Sequence, residues 1–210
     1  MNPDLSTGLS TDAAQVIYGF LWLGFGVLHS VLAGTRAKAR LQPLLGPYYR
    51  LAYNLFAVLH VSSIVAFGAW ALDGGHPVQP FAGWRPLIDL VAVAGWAVMI
   101  LALRTYDLGR LAGTAQIRAY RQGQPWDDDE PLIASGFHAY VRHPLYAAGF
   151  LILWGSATTD LALATALWGS LYLAIGAQYE ERRLVRLYGD AYREYQRRVP
   201  AFIPWKGRVS

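Results

Sequence analysis

Five apolar runs dominate this 210-residue chain, and each approaches the length of a bilayer crossing. They cover residues 13–33, 51–72, 86–103, 145–159 and 161–179. A membrane-spanning helix needs roughly 17–25 mainly apolar residues, because its backbone polar groups must be satisfied within the segment. The fourth run is on the short side of this range. We therefore expect an all-α, polytopic integral membrane protein with about five transmembrane helices.

The apolar runs predict a single membrane domain, residues 1–210. Its parts are three N-terminal spans in residues 1–106, a cytoplasmic connection in residues 107–142 and a C-terminal half in residues 143–205. Apolar residues at helical spacing between positions 108 and 119 predict one short surface helix in the connection. The acidic run at positions 127–130 predicts a solvated loop. Apolar and tyrosine side chains share one face between Leu184 and Val199, which predicts an amphipathic C-terminal helix at the cytoplasmic surface, either lying on the membrane or closing a pocket.

Basic residues indicate the orientation. Lys and Arg occur in the first connection, in the third connection and after the last span, whereas Arg85 alone lies in a connection assigned to the opposite side. Basic residues are enriched on the cytoplasmic side of membranes. We therefore expect a multi-pass protein of the inner (cytoplasmic) membrane, with its N-terminus outside and its C-terminus in the cytoplasm.

Composition excludes several classes of chemistry. The chain has no cysteine, which excludes disulfides, thiol nucleophiles and thiolate metal sites, and we expect no metal. The net charge of +4 is spread over three membrane-proximal segments, so we expect no nucleic-acid partner. The chain also lacks a P-loop and a G-x-G-x-x-G fingerprint after a strand, so a nucleotide-like ligand would have to bind among the membrane helices.

A polar cluster precedes the fourth run, where Arg142, His143 and Pro144 are followed by Tyr146. Proline at the first helical position pre-sets the helix, and it biases the preceding residue towards an extended backbone. The free N–H groups of that helix end favour an anion. Arg142 and these amides could hold a carboxylate, with His143 as a donor; alternatively, Arg142 reaches lipid phosphate and His143 caps the span.

A second polar pair follows the last run. Glu180 has Arg183 three positions on as a surface partner, whereas Glu181 has no basic residue three or four positions away. A carboxylate at a membrane boundary without a local partner is a candidate functional residue. Glu181 could accept hydrogen bonds from hydroxyls or neutralise a cation.

Histidines in the first two spans leave a further possibility open. His29 and His60 could ligate haem, but their depths differ by roughly 7–8 Å at a rise of 1.5 Å per residue, which favours hydrogen bonding within the bundle. At the inner end of the third span, Arg104 and Asp107 could form an ion pair with each other or could line the cytoplasmic cavity.

These motifs carry a family resemblance. The run LIASGFHAYVRHPLYAAG (residues 132–149), the Glu180–Glu181 pair, a later G-x-x-Y-x-x-Y and the closing RVPAFIP resemble the C-terminal signature of isoprenylcysteine carboxyl methyltransferases and their bacterial relatives. HSVLAGTRAKARL, RLAYN and TYDLGRLAGTAQIR are similar to the methanethiol S-methyltransferase branch and to NnrU-type domains.

The resemblance implies a membrane methyltransferase that uses S-adenosyl-L-methionine. The residues it places at the cofactor are Tyr140, Val141, Arg142, His143, Tyr146, Glu180 and Glu181. The candidate catalytic residues are His143, Arg104 and Asp107, the last two on the acceptor side together with Tyr106.

The expected acceptor is a small or lipophilic thiol, methylated to a thioether, and the lipid bilayer is the expected partner. Three alternatives remain: a carboxyl methyltransferase of an isoprenylcysteine-like acceptor, an NnrU-type protein that binds haem b, and a non-catalytic membrane component. The sequence gives no indication of the oligomeric state.

Overall fold

The computed structural model describes residues 9–72, 77, 83–126, 132–206 and 208, and this part of the chain is helical apart from its turns and connections. The helices are α1 (Thr11–Ala33), α2 (Thr35–Leu45), α3 (Tyr49–Ala71), α4 (Arg85–Leu103), α5 (Leu108–Ala112), α6 (Thr114–Arg121), α7 (Pro144–Gly155), α8 (Asp160–Tyr188) and α9 (Asp190–Arg198). Short 3₁₀ turns join α2 to α3 and precede α7. The all-α prediction is confirmed, and the acidic run at positions 127–130 lies outside the described residues.

Within the described residues, four helical stretches are long and apolar enough to cross a membrane. They are α1, α2 continued by α3, α4 and α8. The expected fourth span corresponds to α7, an apolar helix of 12 residues. At 1.5 Å per residue it rises about 18 Å, which is less than the roughly 30 Å hydrocarbon core.

Two packing units build the bundle. In the first, α1, α3 and α8 enclose a core. Its buried members are Ala14, Tyr18, Trp22, Phe25, Ile64, Leu72 and Leu161. In the second, α7 packs mainly against α4 at very close range, because a Cβ on Gly155 would lie only 2.2 Å from the backbone nitrogen of Ala92. Small residues at such crossings allow close backbone approach in membranes.

The connection after α4 differs from the single helix that the sequence predicted. It forms α5 and α6, which meet at Gly113 with φ +96°. A Cβ on Gly113 would lie 2.6 Å from the backbone nitrogen of Leu51, so this turn rests directly on the start of α3. Apolar spacing continues across the turn, and for this reason the periodicity did not reveal the break.

The C-terminal region also differs from the one amphipathic helix expected there. α8 continues without interruption to Tyr188, Gly189 at φ +58° breaks the helix, and α9 follows. Tyr192, Tyr195 and Val199 are buried and pack against Leu184 and neighbouring apolar side chains. The tyrosine face of α9 therefore contacts the protein itself, where the sequence had suggested the membrane surface as one possibility.

Candidate functional site

The site is built where the start of α7 meets the C-terminal segment. The backbone N–H of Arg142 donates to the carbonyl of Pro200 at 2.9 Å, and that of His143 donates to the carbonyl of Ala201 at 3.0 Å. Pro144 then occupies the first turn of α7. These bonds fix Arg142 and His143 beside the end of α8, where the two glutamates lie.

Arg142 is held by several partners distant in sequence. Its Nε donates to Glu181 Oε1 at 2.7 Å, and its Nη2 lies 2.6 Å from the same oxygen. Its Nη1 donates to the carbonyl of Gln196 at 3.2 Å and to the carbonyl of Val199. The guanidinium therefore joins α7, α8 and α9.

Glu181 has the partners that its own helix could not provide. His143 Nε2 lies 3.0 Å from Glu181 Oε1, and Gln196 Nε2 donates to Oε2 at 2.9 Å. Together with Arg142, these contacts use both carboxylate oxygens. Of the two roles considered for Glu181 from the sequence, neutralising a cation is the one seen in the structure, with Arg142 as the cation.

A cavity of about 290 Å³ lies beside this network. Four predicted cofactor-binding residues line it, namely Arg142, His143, Tyr146 and Glu180. The other three do not line it: Glu181 contacts Arg142, Val141 is buried, and Tyr140 is 41% exposed. The structure thus brings the two polar motifs to one cavity and leaves Tyr140 and Val141 outside the cavity lining.

Several lining residues were not identified from the sequence. They include Arg50 at the start of α3, Leu111 in α5, His138 before α7 and Tyr192 in α9. Arg50 Nε donates to the carbonyl of Leu111 at 3.4 Å, and this contact joins α3 to the connection. Tyr192 could have been found from the G-x-x-Y-x-x-Y motif; the others come from segments whose contacts depend on tertiary packing.

The hydroxyl of Tyr192 is buried and has no hydrogen-bond partner among the described residues. Its neighbour Tyr195 donates to the carbonyl of His138 at 2.6 Å. Burial raises the pKa of Tyr195 to about 12, and burial lowers the pKa of His138 below its ordinary value. At neutral pH the tyrosine therefore stays protonated and the histidine is predominantly neutral.

Arg104 and Asp107 lie outside the cavity lining. Asp107 caps α5 by accepting from the backbone N–H of Arg110 at 3.0 Å, and it also lies 3.8 Å from the Arg110 side chain. The ion pair considered between Arg104 and Asp107 is thus replaced by one with Arg110. Between these positions, the side chain of Tyr106 reaches the cavity.

The structure gives the ring nitrogens of His29 partners other than a haem iron. Both ring nitrogens of His29 contact tyrosine hydroxyls, Tyr53 at 2.5 Å and Tyr172 at 2.8 Å. The ring of Phe25 packs against both histidines, with centroid distances of 5.4 Å to each. The hydrogen bonding expected within the bundle is observed for His29.

Comparisons with known proteins are consistent with these motifs. Residues 52–199 match a family described as "Protein of unknown function (DUF1295)". The chain is 32% identical to Methanethiol S-methyltransferase 1 of Bradyrhizobium diazoefficiens, over 98% of this chain and 72% of that protein. It is 28% identical to Nurim of Xenopus laevis, over 75% of this chain and 57% of that protein.

A shorter match covers 36% of this chain and 34% of the Protein-S-isoprenylcysteine O-methyltransferase of Schizosaccharomyces pombe, at 35% identity. No solved structure matches the chain.

Proposed function

The chain belongs to the DUF1295 family and to the isoprenylcysteine methyltransferase-like group that includes methanethiol S-methyltransferases, and on this premise we propose that it is an S-adenosylmethionine-dependent membrane methyltransferase. Its proposed acceptor is a small apolar thiol, converted to a thioether. One observation carries the proposal: Arg142, His143 and Tyr146 converge with Glu180 on one cavity, although the motifs are separated by more than thirty residues of sequence.

The lining residues fit S-adenosylmethionine chemically. The volume of about 290 Å³ is close to the lower end of ligand pockets, roughly 300–1,000 Å³. The cofactor is a zwitterion with ribose hydroxyls. The Glu180 carboxylate, whose side chain is 43% exposed, would face the positively charged sulfonium and stay available to accept a proton. The Tyr192 hydroxyl would bind a ribose hydroxyl, and the absence of a partner for it among the described residues supports that role.

The cofactor carboxylate would be held at the start of α7, where helix N–H groups favour an anion, with Arg50 and Arg142 in the same wall. Arg142 also neutralises Glu181. We propose that Glu181, Val141 and Tyr140 act by holding this wall in place. Apolar lining from Leu132, Leu184 and neighbouring residues would contact the adenine.

When bound, the cofactor supplies an electrophilic methyl group on a sulfonium. The protein has to orient the acceptor, exclude water and accept the thiol proton. His143 Nδ1 lies 3.7 Å from Glu180 Oε2, and its Nε2 contacts Glu181. We propose that His143 orients Glu180, which accepts the proton. Arg104 and Asp107 remain catalytic predictions on the acceptor side, without support from the cavity lining.

We also propose that the chain crosses the inner membrane five times, with its N-terminus outside. Leu161, at the start of α8, packs with Tyr18 near the start of α1 and with Leu72 at the end of α3. Arg142, just before α7, contacts the opposite end of α8. The chain from α7 to α8 therefore passes from one end of the bundle to the other.

A carboxyl acceptor of isoprenylcysteine type is the second candidate, because the Schizosaccharomyces pombe match is at 35% identity. The two functions differ in product. A thiol acceptor gives a volatile or extractable thioether, whereas a carboxyl acceptor gives a base-labile methyl ester.

The test is methyl transfer from methyl-labelled S-adenosylmethionine by the purified protein in detergent. Methanethiol, hydrogen sulfide and a farnesylated cysteine are offered separately, and volatile and base-labile label are counted. We expect label in the volatile thioether from methanethiol. Label only in base-labile ester would establish the second candidate, and no transfer by folded protein would contradict both.

A matched pair of variants tests the site. Glu180→Gln should lower kcat by about ten-fold or more, because a positioned general base contributes roughly 10²–10⁴-fold. Glu194→Gln alters an exposed carboxylate paired with Arg197 on α9 and should leave transfer unchanged. Equal activity of the two variants would remove Glu180 from the proposed site.

A further inference from the structure

Three helices bring a histidine and two tyrosines together inside the bundle. His29 of α1 contacts Tyr53 of α3 through Nε2 at 2.5 Å and Tyr172 of α8 through Nδ1 at 2.8 Å. Within the part of the chain that the structure describes, neither hydroxyl has a hydrogen-bond partner other than His29. None of these three residues was assigned a role in the proposed methyl transfer.

The hydrogen count of this cluster leaves one donor unused. A neutral imidazole has one N–H donor and one acceptor nitrogen. One tyrosine therefore donates to His29, and the other accepts from it. The tyrosine that accepts keeps its own O–H, for which the described residues offer no acceptor. Such an unused donor in an apolar region costs about 1–3 kcal/mol, so it indicates a ligand.

The cluster lies one helical turn from a residue of the proposed cofactor cavity. Arg50, which lines that cavity, precedes Tyr53 by three residues on the same helix, α3, so the two share a face. Tyr146 and Glu180 line the same cavity. The cluster therefore borders the cavity through α3.

A groove of about 300 Å³ reaches the cluster from the apolar surface between α1 and α8. Tyr172 lines it, together with Trp22, Gly26, Val27 and Ile175, all residues of the two spanning helices. Its mostly apolar lining suits an uncharged organic molecule dissolved in the bilayer. A small thiol meets this requirement, and a charged acceptor does not.

We infer that Tyr53 and Tyr172, both held by His29, form the acceptor subsite together with Tyr146 of the cavity lining; this subsite binds the sulfur of a small apolar thiol and stabilises it as the thiolate. This inference rests on the proposed methyl transfer. The unused O–H donates to the sulfur. The thiol proton moves to the Tyr146 oxygen while the Tyr146 proton moves to Glu180.

The thiolate then attacks the methyl group of the cofactor. A sulfur electron pair forms the new S–C bond, the bond between the methyl group and the sulfonium breaks, and its electron pair remains on that sulfur as a neutral thioether. The proton on Glu180 passes to water, to which this side chain is partly exposed.

The experiment compares Tyr172→Phe and Tyr53→Phe with Tyr18→Phe. Tyr18 is a buried tyrosine whose hydroxyl hydrogen-bonds Thr165 at 2.8 Å near the opposite end of the bundle, so it controls for loss of a buried hydroxyl. The acceptors are ethanethiol and the nearly isosteric but more acidic 2,2,2-trifluoroethanethiol. Binding of labelled S-adenosylmethionine is measured separately.

The tyrosine that carries the unused donor should lose about ten-fold or more in kcat/KM for ethanethiol when it is changed to Phe, the effect of one hydrogen bond to a charged group. The loss for trifluoroethanethiol should be clearly smaller, because this thiol ionises without help. Cofactor Kd should change less than two-fold, and Tyr18→Phe should keep wild-type kinetics with both thiols.

Equal losses with the two thiols, or wild-type kinetics in both cluster variants, would overturn the subsite while leaving the proposed function intact. Failure of the wild-type protein to bind the cofactor would overturn both. If one cluster variant does not fold, as judged by cofactor binding, the other variant supplies the comparison.

Discussion

Glu181 is the carboxylate on which the contacts of three segments converge. It is only partly exposed and accepts from Arg142, contacts His143 and accepts from Gln196. Replacing one member of a largely buried ion pair leaves the other charge poorly compensated. The contribution of this residue should therefore be seen first in stability, and in catalysis only as a consequence.

Glu181→Gln should lower the free energy of unfolding by about 2–3 kcal/mol, because Arg142 keeps a hydrogen bond but loses the negative charge. For a chain of this length that corresponds to roughly 5–10 °C in Tm, measured by thermal unfolding in detergent. Asp190→Asn removes an exposed pair with Arg193 and should change Tm by less than about 2 °C. A similar Tm for both variants would show that the Arg142 network contributes little.

Two neighbouring tyrosines in α9 should respond in opposite ways to loss of the hydroxyl. Tyr195→Phe removes the bond to the His138 carbonyl and should destabilise the protein by about 1 kcal/mol. Tyr192→Phe removes a buried hydroxyl without a described partner, so stability should stay the same or rise. Its cofactor Kd should nevertheless increase several-fold. Thermal unfolding and labelled-cofactor binding separate the two effects, and an unchanged Kd would exclude Tyr192 from the ligand contacts.

The sequence predicted a helix well where neighbouring residues determine its ends, and poorly where a contact distant in sequence determines them. The apolar runs placed α1, α3 and α4 within about two residues of their observed bounds. The break at Gly113 depends on contact with Leu51, about sixty residues away, and no local periodicity encodes it. For the same reason the sequence identified Arg142, His143 and Glu181 as candidates but did not indicate that they contact one another.

The turn between α5 and α6 provides a test at the level of helix docking. Gly113→Ala places an alanine at a positive φ of +96°, which L side chains rarely adopt. Its Cβ would also lie only 2.6 Å from the backbone nitrogen of Leu51, so the turn must move away from α3. Because Leu111 and Arg50 line the cavity, we expect cofactor affinity to fall together with stability.

Gly123→Ala is the matched control. This glycine also has a positive φ, +68°, but a Cβ there would meet nothing within 4 Å among the described residues. It should cost only the backbone strain, about 1–2 kcal/mol, and leave cofactor Kd unchanged. Equal effects of the two variants on Kd, measured with labelled cofactor, would mean that contact between the turn and α3 does not shape the cavity.

At the scale of the whole molecule, the relative position of the helix ends supports the proposed number of membrane crossings. By length, α7 reaches only about 18 Å, less than a full crossing. Yet α8 begins beside the start of α1, and Arg142, just before α7, lies at the opposite end of α8. In the proposed five-span topology, residues 156–159 complete the passage, and the bilayer is locally thinner around the short helix.

This topology can be tested with single cysteines, since the chain contains none. Asp12→Cys, Arg121→Cys and Arg198→Cys each replace an exposed residue. With a membrane-impermeant maleimide on spheroplasts, we expect only Asp12→Cys to be labelled, and the other two to react after permeabilisation. If α7 does not complete a crossing, Arg198→Cys will instead be labelled from outside together with Asp12→Cys. That result would place α9 outside the cell. It would contradict the proposal that the site between α7, α8 and α9 binds a cofactor from the cytoplasm.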